Sequence, residues 1–270
     1  ADLYGDGHSE EILGKTFTGH RKEIIIASKG GTLPHTGFYM PQDFSKEHLT
    51  SALELSLKRL KTDYIDLYQL HSPQIIDLEE NDVISTLENF IKEGKIMSYG
   101  ISVRSPQDGI IAIEKYKFPV IQVNFNMLDL RAIESGLFDL AIKTNTGIIA
   151  RTPFVFGFLT GKLSGNEEFR AGDHRANWPK EQLQRWADSH ILFDELNKNK
   201  NRTLAQLALQ FCLSEKAVST VIPGMMNSVE VSENVKATEI EQLLSSEIEQ
   251  IKEIYIGNDF YDKNAKKIEK

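Results

Sequence analysis

The segment Tyr64-Ile-Asp-Leu-Tyr-Gln-Leu-His-Ser-Pro73 constrains this chain more than any other. Apolar, strand-favouring residues run from Tyr64 to Leu70 with only Asp66 and Gln69 intervening, and Ser-Pro after His71 stops regular structure. The expectation is a buried strand with a histidine at its tip. Residues 45–60 before it carry Leu49, Ala52, Leu53, Leu57 and Leu60 at helical spacing, and residues 82–92 after it repeat the pattern with Val83, Leu87, Phe90 and Ile91. Helix, strand, helix in this order implies parallel strands with helices packed outside, a design in which the carboxyl ends of strands carry the chemistry. His71 stands at such an end.

The same alternation continues on both sides. Ser9 is expected to cap a short helix running through Leu13 to Phe17. Residues 23–29 read as a fully buried strand that ends in Lys29 and a Gly-Gly pair. The connection 30–44, with Pro34, His35, Phe38, Tyr39 and Pro41, is long enough to form a substrate wall. Strands are expected at 95–103, 120–126, 147–152 and 217–222, and helices at 105–115, 132–143, 180–196 and 203–214. Ser105 and Pro106 mark a helix start, Asn227 and Glu230 have capping-box-like spacing, and an amphipathic tail covers 239–256. Residues 153–178 are irregular. The count is about six strand-helix units, short of the eight that close a TIM barrel.

A chain of 270 residues fits one domain if the fold is a barrel or a large α/β sheet, and 40% hydrophobic against 26% charged residues supplies a sizeable core. A net charge of -8 argues against a nucleic-acid partner. The single Cys212 excludes an internal disulfide and reads as a small core residue. No apolar run reaches membrane-spanning length and no signal peptide is seen, so a cytoplasmic location without membrane partners is the expectation. His20, His35 and His48 lack metal-ligand spacing, so no metal is expected.

Tyr4, Lys29 and His71 have complementary proton chemistry. A phenol titrates near ~10, an adjacent ammonium favours phenolate, and an imidazole can orient a carbonyl oxygen or share the proton. Taken singly, each also has an ordinary reading: a surface tyrosine, a solvated lysine, a histidine hydrogen-bonded at a strand end.

In combination they carry a resemblance. Ala1-Asp-Leu-Tyr4-Gly5, Ser9-Glu10-Glu11-Ile12-Leu13-Gly14, Ser28-Lys29-Gly30 and Leu67-Tyr68-Gln69-Leu70-His71-Ser72-Pro73 resemble the aldo-keto reductase family, in order. The likeness continues through Gly100-Ile-Ser102, Gln122-Val-Asn124, Ala150-Arg151-Thr-Pro153, Gly157-Phe-Leu159-Thr-Gly161-Lys162, Asp173-His-Arg175 and Ile222-Pro223-Gly224 to Glu233-Asn234. The resemblance implies a TIM-type (β/α)8 barrel over 1–270, here incomplete with about six units, that binds NADPH (NADH being possible) without a Rossmann fold. It implies reduction of a small aldehyde or ketone: Tyr4 protonates the carbonyl oxygen, Lys29 lowers the pKa of Tyr4, and His71 polarises and orients the substrate. Ser102 and Gln122 would hold the carboxamide, and Arg151 would lie near the nicotinamide ring. Gly157, Gly161 and Lys162 would line the pyrophosphate, and Gly224, Glu233 and Asn234 would meet the adenosine half. Without the family, these positions read as strand polar groups, turn formers and helix-surface residues.

Three departures from the family pattern stand out. Its catalytic Asp lies just ahead of the segment that begins here at Ala1, so the reading expects a fragment or shortened relative lacking that Asp and the first two strand-helix units. Met226, Asn227 and Glu230 stand where NADPH-selective relatives carry Arg or Lys, which implies weakened discrimination against NADH. Phe154 and Phe156 are bulkier than typical, and Val103 replaces an Asn. The competing reading is a catalytically weak or silent nucleotide-binding protein, similar to the β subunits of potassium channels. An unrelated barrel isomerase or lyase on phosphorylated sugars is disfavoured, because no Gly-rich phosphate cup follows the last strands.

Overall fold

The computed structural model describes residues 1–35, 40–170, 172–198 and 200–261, which leaves Phe38 and Tyr39 of the expected substrate wall outside the described residues. Two compact units divide the chain: Ala1–Gln122 with Lys143–Thr146, and Val123–Ile142 with Gly147–Lys270. Among the described residues six strands follow one another in the sheet in chain order.

The first unit contains α1 (His8–Thr16), β1 (Ala27–Gly30), α2 (Lys46–Leu60), β2 (Ile65–His71), α3 (Ile75–Glu80), α4 (Val83–Lys92), β3 (Ile96–Ser102), α5 (Pro106–Glu114) and the start of β4 (Val120–Asn124). Strand pairing is parallel from β1 to β4, with Lys29 opposite Gln69, His71 opposite Ser102, and Ser102 opposite Gln122. These rows gather the polar residues at the carboxyl ends. The apolar spacing of β2 and α2 works as expected: Ile65, Tyr68, Leu70, Leu49 and Leu53 are fully buried. Ser105 caps α5 in a reciprocal box with Asp108, with Pro106 at the first helical position.

Two expectations in this unit need correction. The strand over 23–29 forms only from Ala27, and Ile25 is 83% exposed rather than buried. The Arg21 guanidinium bonds the carbonyls of Ile24 and Tyr64 at 3.1 and 2.9 Å, and Asp66 accepts from Arg21 and from the Ile26 N–H at 2.6 and 2.8 Å. This polar clamp occupies the Ile24 carbonyl and the Ile26 N–H, while the Ile26 carbonyl still accepts from the N–H groups of Asp66 and Leu67 at 3.1 and 3.2 Å. Ser9 is not the cap, because α1 begins at His8 and Ser9 already lies inside it; the cap position falls on Gly7, in a left-handed conformation.

In the second unit lie α6 (Arg131–Glu134), α7 (Leu137–Thr144), β5 (Gly147–Arg151), α8 (Lys180–Ser189), α9 (Asp194–Asn197), α10 (Leu204–Ser214), β6 (Val218–Ile222), α11 (Ser228–Lys236) and α12 (Ser245–Ile256). β5 and β6 pair in parallel, with Arg151 opposite Ile222. Cys212 is buried beside a core of Phe125, Phe138 and Phe211, its thiol donating to the Phe125 carbonyl at 3.3 Å; burial pushes that thiol's pKa up. Two expected helices here are broken, and the amphipathic tail is helical only in part. The helix over 132–143 is interrupted at Gly136, whose φ is 79°. The helix over 180–196 tightens into a 3-10 turn at His190–Phe193, where the Ser189 hydroxyl and the His190 ring bond the carbonyls three residues back, of Trp186 and Ala187. Gln210 takes the carbonyls of Ala237 and Glu241 at 3.0 and 2.9 Å, so the tail becomes helical only from Ser245. Among the described residues no helix is long and apolar enough to cross a membrane.

Candidate active site

Tyr4, Lys29 and His71 come together in the first unit. Tyr4 sits on the turn between Asp2 and Gly7 with its side chain half exposed, while Lys29 is buried on β1 and His71 is half-buried at the end of β2. The Lys29 Nζ lies 5.8 Å from the centroid of the Tyr4 ring. The His71 ring meets the same ring edge-on, with centroids 5.8 Å apart and planes at 82°. A phenol ring thus has both an ammonium and an imidazole near it.

Beside His71 lie the two residues expected to take a carboxamide. Ser102 is buried at the end of β3, and its Oγ is 3.4 Å from that of Ser72. Gln122, its neighbour across the β3–β4 pair, is buried, with Oε1 lacking a hydrogen-bond partner among the described residues. A buried carbonyl left without a donor is costly, and an incoming amide N–H would relieve it. The turn after His71 is fastened by residues to which the sequence assigns no role. Gln42 Nε2 donates to the carbonyls of His71 and Ser72 at 2.5 and 3.2 Å, and Arg104 donates to the Ser72 carbonyl at 2.8 Å and to Gln42 Oε1 at 2.5 Å.

Behind Tyr4 is a buried acidic group. Glu10, 1% exposed, accepts from the Ser28 hydroxyl at 2.5 Å and from Arg59 at 3.2 Å. Burial, then the nearby Glu10 charge, pushes the Asp2 carboxyl up to about 6. Arg59 escapes sequence reading because a cation in the last turn of α2 has a sufficient explanation in the helix dipole.

The second unit holds the remaining expected cofactor residues. Arg151 ends β5, half-buried, and its carbonyl accepts from the Phe125 N–H at 3.3 Å. Gly157 has φ of 100° and follows Val155 and Phe156, both also at positive φ, an unusual run that only glycine adopts without strain. Phe156 turns into a cluster with His174, Trp186 and Trp178, at centroid distances of 4.8, 5.5 and 6.2 Å, and Phe154 is buried. Two pairs of expected residues meet directly: Lys162 Nζ lies 3.5 Å from Glu233, and Asn234 donates to the Gly224 carbonyl at 3.3 Å. Gly161 ends the turn at φ 72°, where a Cβ would stand 3.0 Å from Leu204. Asn227 caps α11 by accepting from the Glu230 N–H at 3.0 Å, whereas the Glu230 carboxylate reaches the N–H of Met226 at 2.7 Å, so the box is displaced by one residue.

Parallel strands alternating with helices, with polar side chains gathered at carboxyl ends, define an α/β protein of the (β/α) barrel class, and comparison with known proteins identifies the group. The chain belongs to the aldo/keto reductase family, whose model matches residues 1–256. It is 32% identical over 252 residues to the uncharacterized oxidoreductase YqkF of Bacillus subtilis, covering 92% of this chain and 79% of that protein. It is 30% identical over 272 residues to the L-glyceraldehyde 3-phosphate reductase of Escherichia coli (strain K12), covering 93% and 77%. Among solved structures, the holo form of the aldo-keto reductase AKR11C1 from Bacillus halodurans superposes with a TM-score of 0.77 at 32% identity, over 94% of this chain and 80% of that one. The glycerol dehydrogenase AKR11B4 from Gluconobacter oxydans gives a TM-score of 0.79 at 26% identity, over 97% and 82%. The family is one of oxidoreductases that use nicotinamide cofactors.

Proposed function

We propose that this chain reduces a small aldehyde or ketone to the alcohol, with Tyr4 as the proton donor. The observation that carries the reading is the convergence of Lys29 and His71 on the Tyr4 ring. A bound reduced nicotinamide supplies the hydride that adds to the carbonyl carbon. The Tyr4 O–H gives its proton to the carbonyl oxygen, so the C=O becomes CH–OH and a phenolate is left to recover a proton from water. The Lys29 ammonium stabilises that phenolate, and His71 orients the carbonyl oxygen toward the phenol. Ser102 and the unpartnered Oε1 of Gln122 suit a carboxamide, with Arg151 assigned to the same end of the cofactor. Gly157, Gly161 and Lys162 are assigned to the pyrophosphate, and Gly224, Glu233 and Asn234 to the adenosine.

NADPH is the cofactor of first choice, in keeping with a fission-yeast relative named as an NADP(+) aldo-keto reductase. NADH should compete. The carboxylate of Glu230, anchored to the Met226 N–H, is an acceptor-only group close to the start of α11, where a 2'-phosphate needs donors. Replacing Glu230→Lys is expected to tighten NADPH about tenfold relative to NADH; equal changes for both dinucleotides would remove Glu230 from the account.

The test is to titrate the purified chain with NADPH and NADH by fluorescence, then follow nicotinamide oxidation with a panel of small aldehydes and ketones that includes glyceraldehyde 3-phosphate. Turnover lowered by about a hundredfold or more in Tyr4→Phe supports the proposal. Binding without turnover favours a nucleotide-binding interaction protein, a reading suggested by a relative from Arabidopsis thaliana named as a probable potassium channel subunit beta. Absence of dinucleotide binding overturns both.

A further inference from the structure

The backbone that carries Tyr4 is fastened by one guanidinium. Arg59, next to last in α2, donates from Nη1 to the Asp2 carbonyl and to Glu10 Oε2, both at 3.2 Å. The other oxygen of Glu10 accepts from Ser28 Oγ at 2.5 Å, and Ser28 immediately precedes Lys29 on β1. At the far end of the turn Gly7 presses against the same guanidinium, since a Cβ there would stand 2.4 Å from Arg59 Nε. Gly14 lets α1 approach α2 just as closely, as its Cβ would come within 2.3 Å of the Arg59 carbonyl. The Asp2 N–H adds a bond to the Lys29 carbonyl at 3.0 Å.

Both ends of the Tyr4 turn and the first turn of α1 therefore refer to Arg59, and Glu10 links that cluster to the strand bearing Lys29. Tyr4 is 51% exposed, so its backbone must do much of the placing that packing does for a buried ring. A guanidinium that bonds both acceptors from Nη1 while its Nε side lies against Gly7 spans more of this turn than a lysine's point charge can. We propose that Arg59, acting through Glu10, is a positioning residue that sets Tyr4 against Lys29 and His71. The proposal rests on the reading of Tyr4 as proton donor, but its geometric part can be tested without turnover.

Arg59→Met alone leaves Glu10 buried and unpaired, so it is compared with the double change Glu10→Gln with Arg59→Met, and with Arg59→Lys. Arg21→Met serves as a structural control, because Arg21 makes a similar ion pair with Asp66 at 2.6 Å near the amino end of β2. Measured for each are kcat, the aldehyde KM, the NADPH dissociation constant and amide exchange at Asp6, His8 and Ser9, whose N–H groups bond within the Tyr4 turn and the start of α1. Positioning predicts a fall in kcat of about ten- to a hundredfold in both Arg59→Met variants, with NADPH affinity unchanged. It also predicts faster exchange at those three amides, partial recovery with lysine, and an Arg21→Met control that loses thermal stability but not kcat. An unchanged kcat in the Arg59→Met variants, or a fall matched by the Arg21 control or by lost NADPH affinity, overturns it. If the parent reduces no carbonyl, the function fails while the exchange decides the geometry: faster exchange confined to Asp6, His8 and Ser9 supports the anchoring, and unchanged exchange there overturns it.

Discussion

At the scale of single residues, the proton donor is the most exposed part of the proposed mechanism. Tyr4→Phe keeps the ring that meets Lys29 and His71 and deletes only the hydroxyl. The expected outcome is a loss in kcat of about 10²–10⁴, the usual worth of a positioned general acid, with the dinucleotide dissociation constant unchanged. A variant that keeps its kcat would move proton donation to another group. Tyr4, Lys29 and His71 are legible in the sequence because each lies in a short motif, and motif order survives without knowledge of the fold. Arg59, Gln42 and Arg104 are not legible. Their partners stand far away along the chain, so the bonds Arg59 to Asp2, Gln42 to His71 and Arg104 to Gln42 exist only once β1, β2 and β3 lie side by side.

Among elements, local chemistry set most starts and tertiary bonds set several ends. Ser45, Ser105 and Thr203 cap the helices expected to follow them, since a side-chain oxygen three residues before a free N–H acts locally. The shortened β1 and the broken helix over 180–196 were unreadable because Arg21 and His190 compete for backbone carbonyls, which periodicity does not register. The irregular segment after β5 depends on one such competitor. Arg175 donates to the Phe156 carbonyl at 3.3 Å, packs over the Phe169 ring at 4.5 Å from its centroid, and pairs with Asp173 at 2.6 Å. Its hydrogen bonds hold the Asp173 carboxyl down at about 2, below the ordinary 3.8. A depressed carboxyl stabilises the folded form above its ordinary value, and that contribution is lost as pH falls toward and through the folded value. Proteolysis of this segment should be constant from neutral pH to about 5 and accelerate below about 3, in a range set by the two values. Arg175→Met should be open to the protease at neutral pH already. A segment equally resistant at both extremes of pH would show that Arg175 and Asp173 do not secure it.

For the whole molecule, alternation of strand and helix was enough to assign parallel α/β architecture, and the sheet found among the described residues follows the strands read from periodicity in chain order. The residues proposed to meet the nucleotide needed the family, because Gly157, Gly161 and Gly224 are chemically silent and look like any turn. That difference suggests a test at the same scale. A ligand that binds only the folded chain stabilises it by RT ln(1 + [L]/Kd), about 2.7 kcal/mol at a hundredfold excess over Kd. For a chain of this size that corresponds to a rise in Tm of roughly 5–10 °C. NADPH should produce such a shift without any substrate present, and Lys162→Met should reduce it by weakening attraction to the pyrophosphate. The Lys162 pair with Glu233 bears on the size of that reduction: the lysine must exchange one anionic partner for another, so its net gain on binding is smaller than that of an unpaired cation. A shift that is large in the parent and unaltered in Lys162→Met would keep the cofactor and discard this residue's part in holding it.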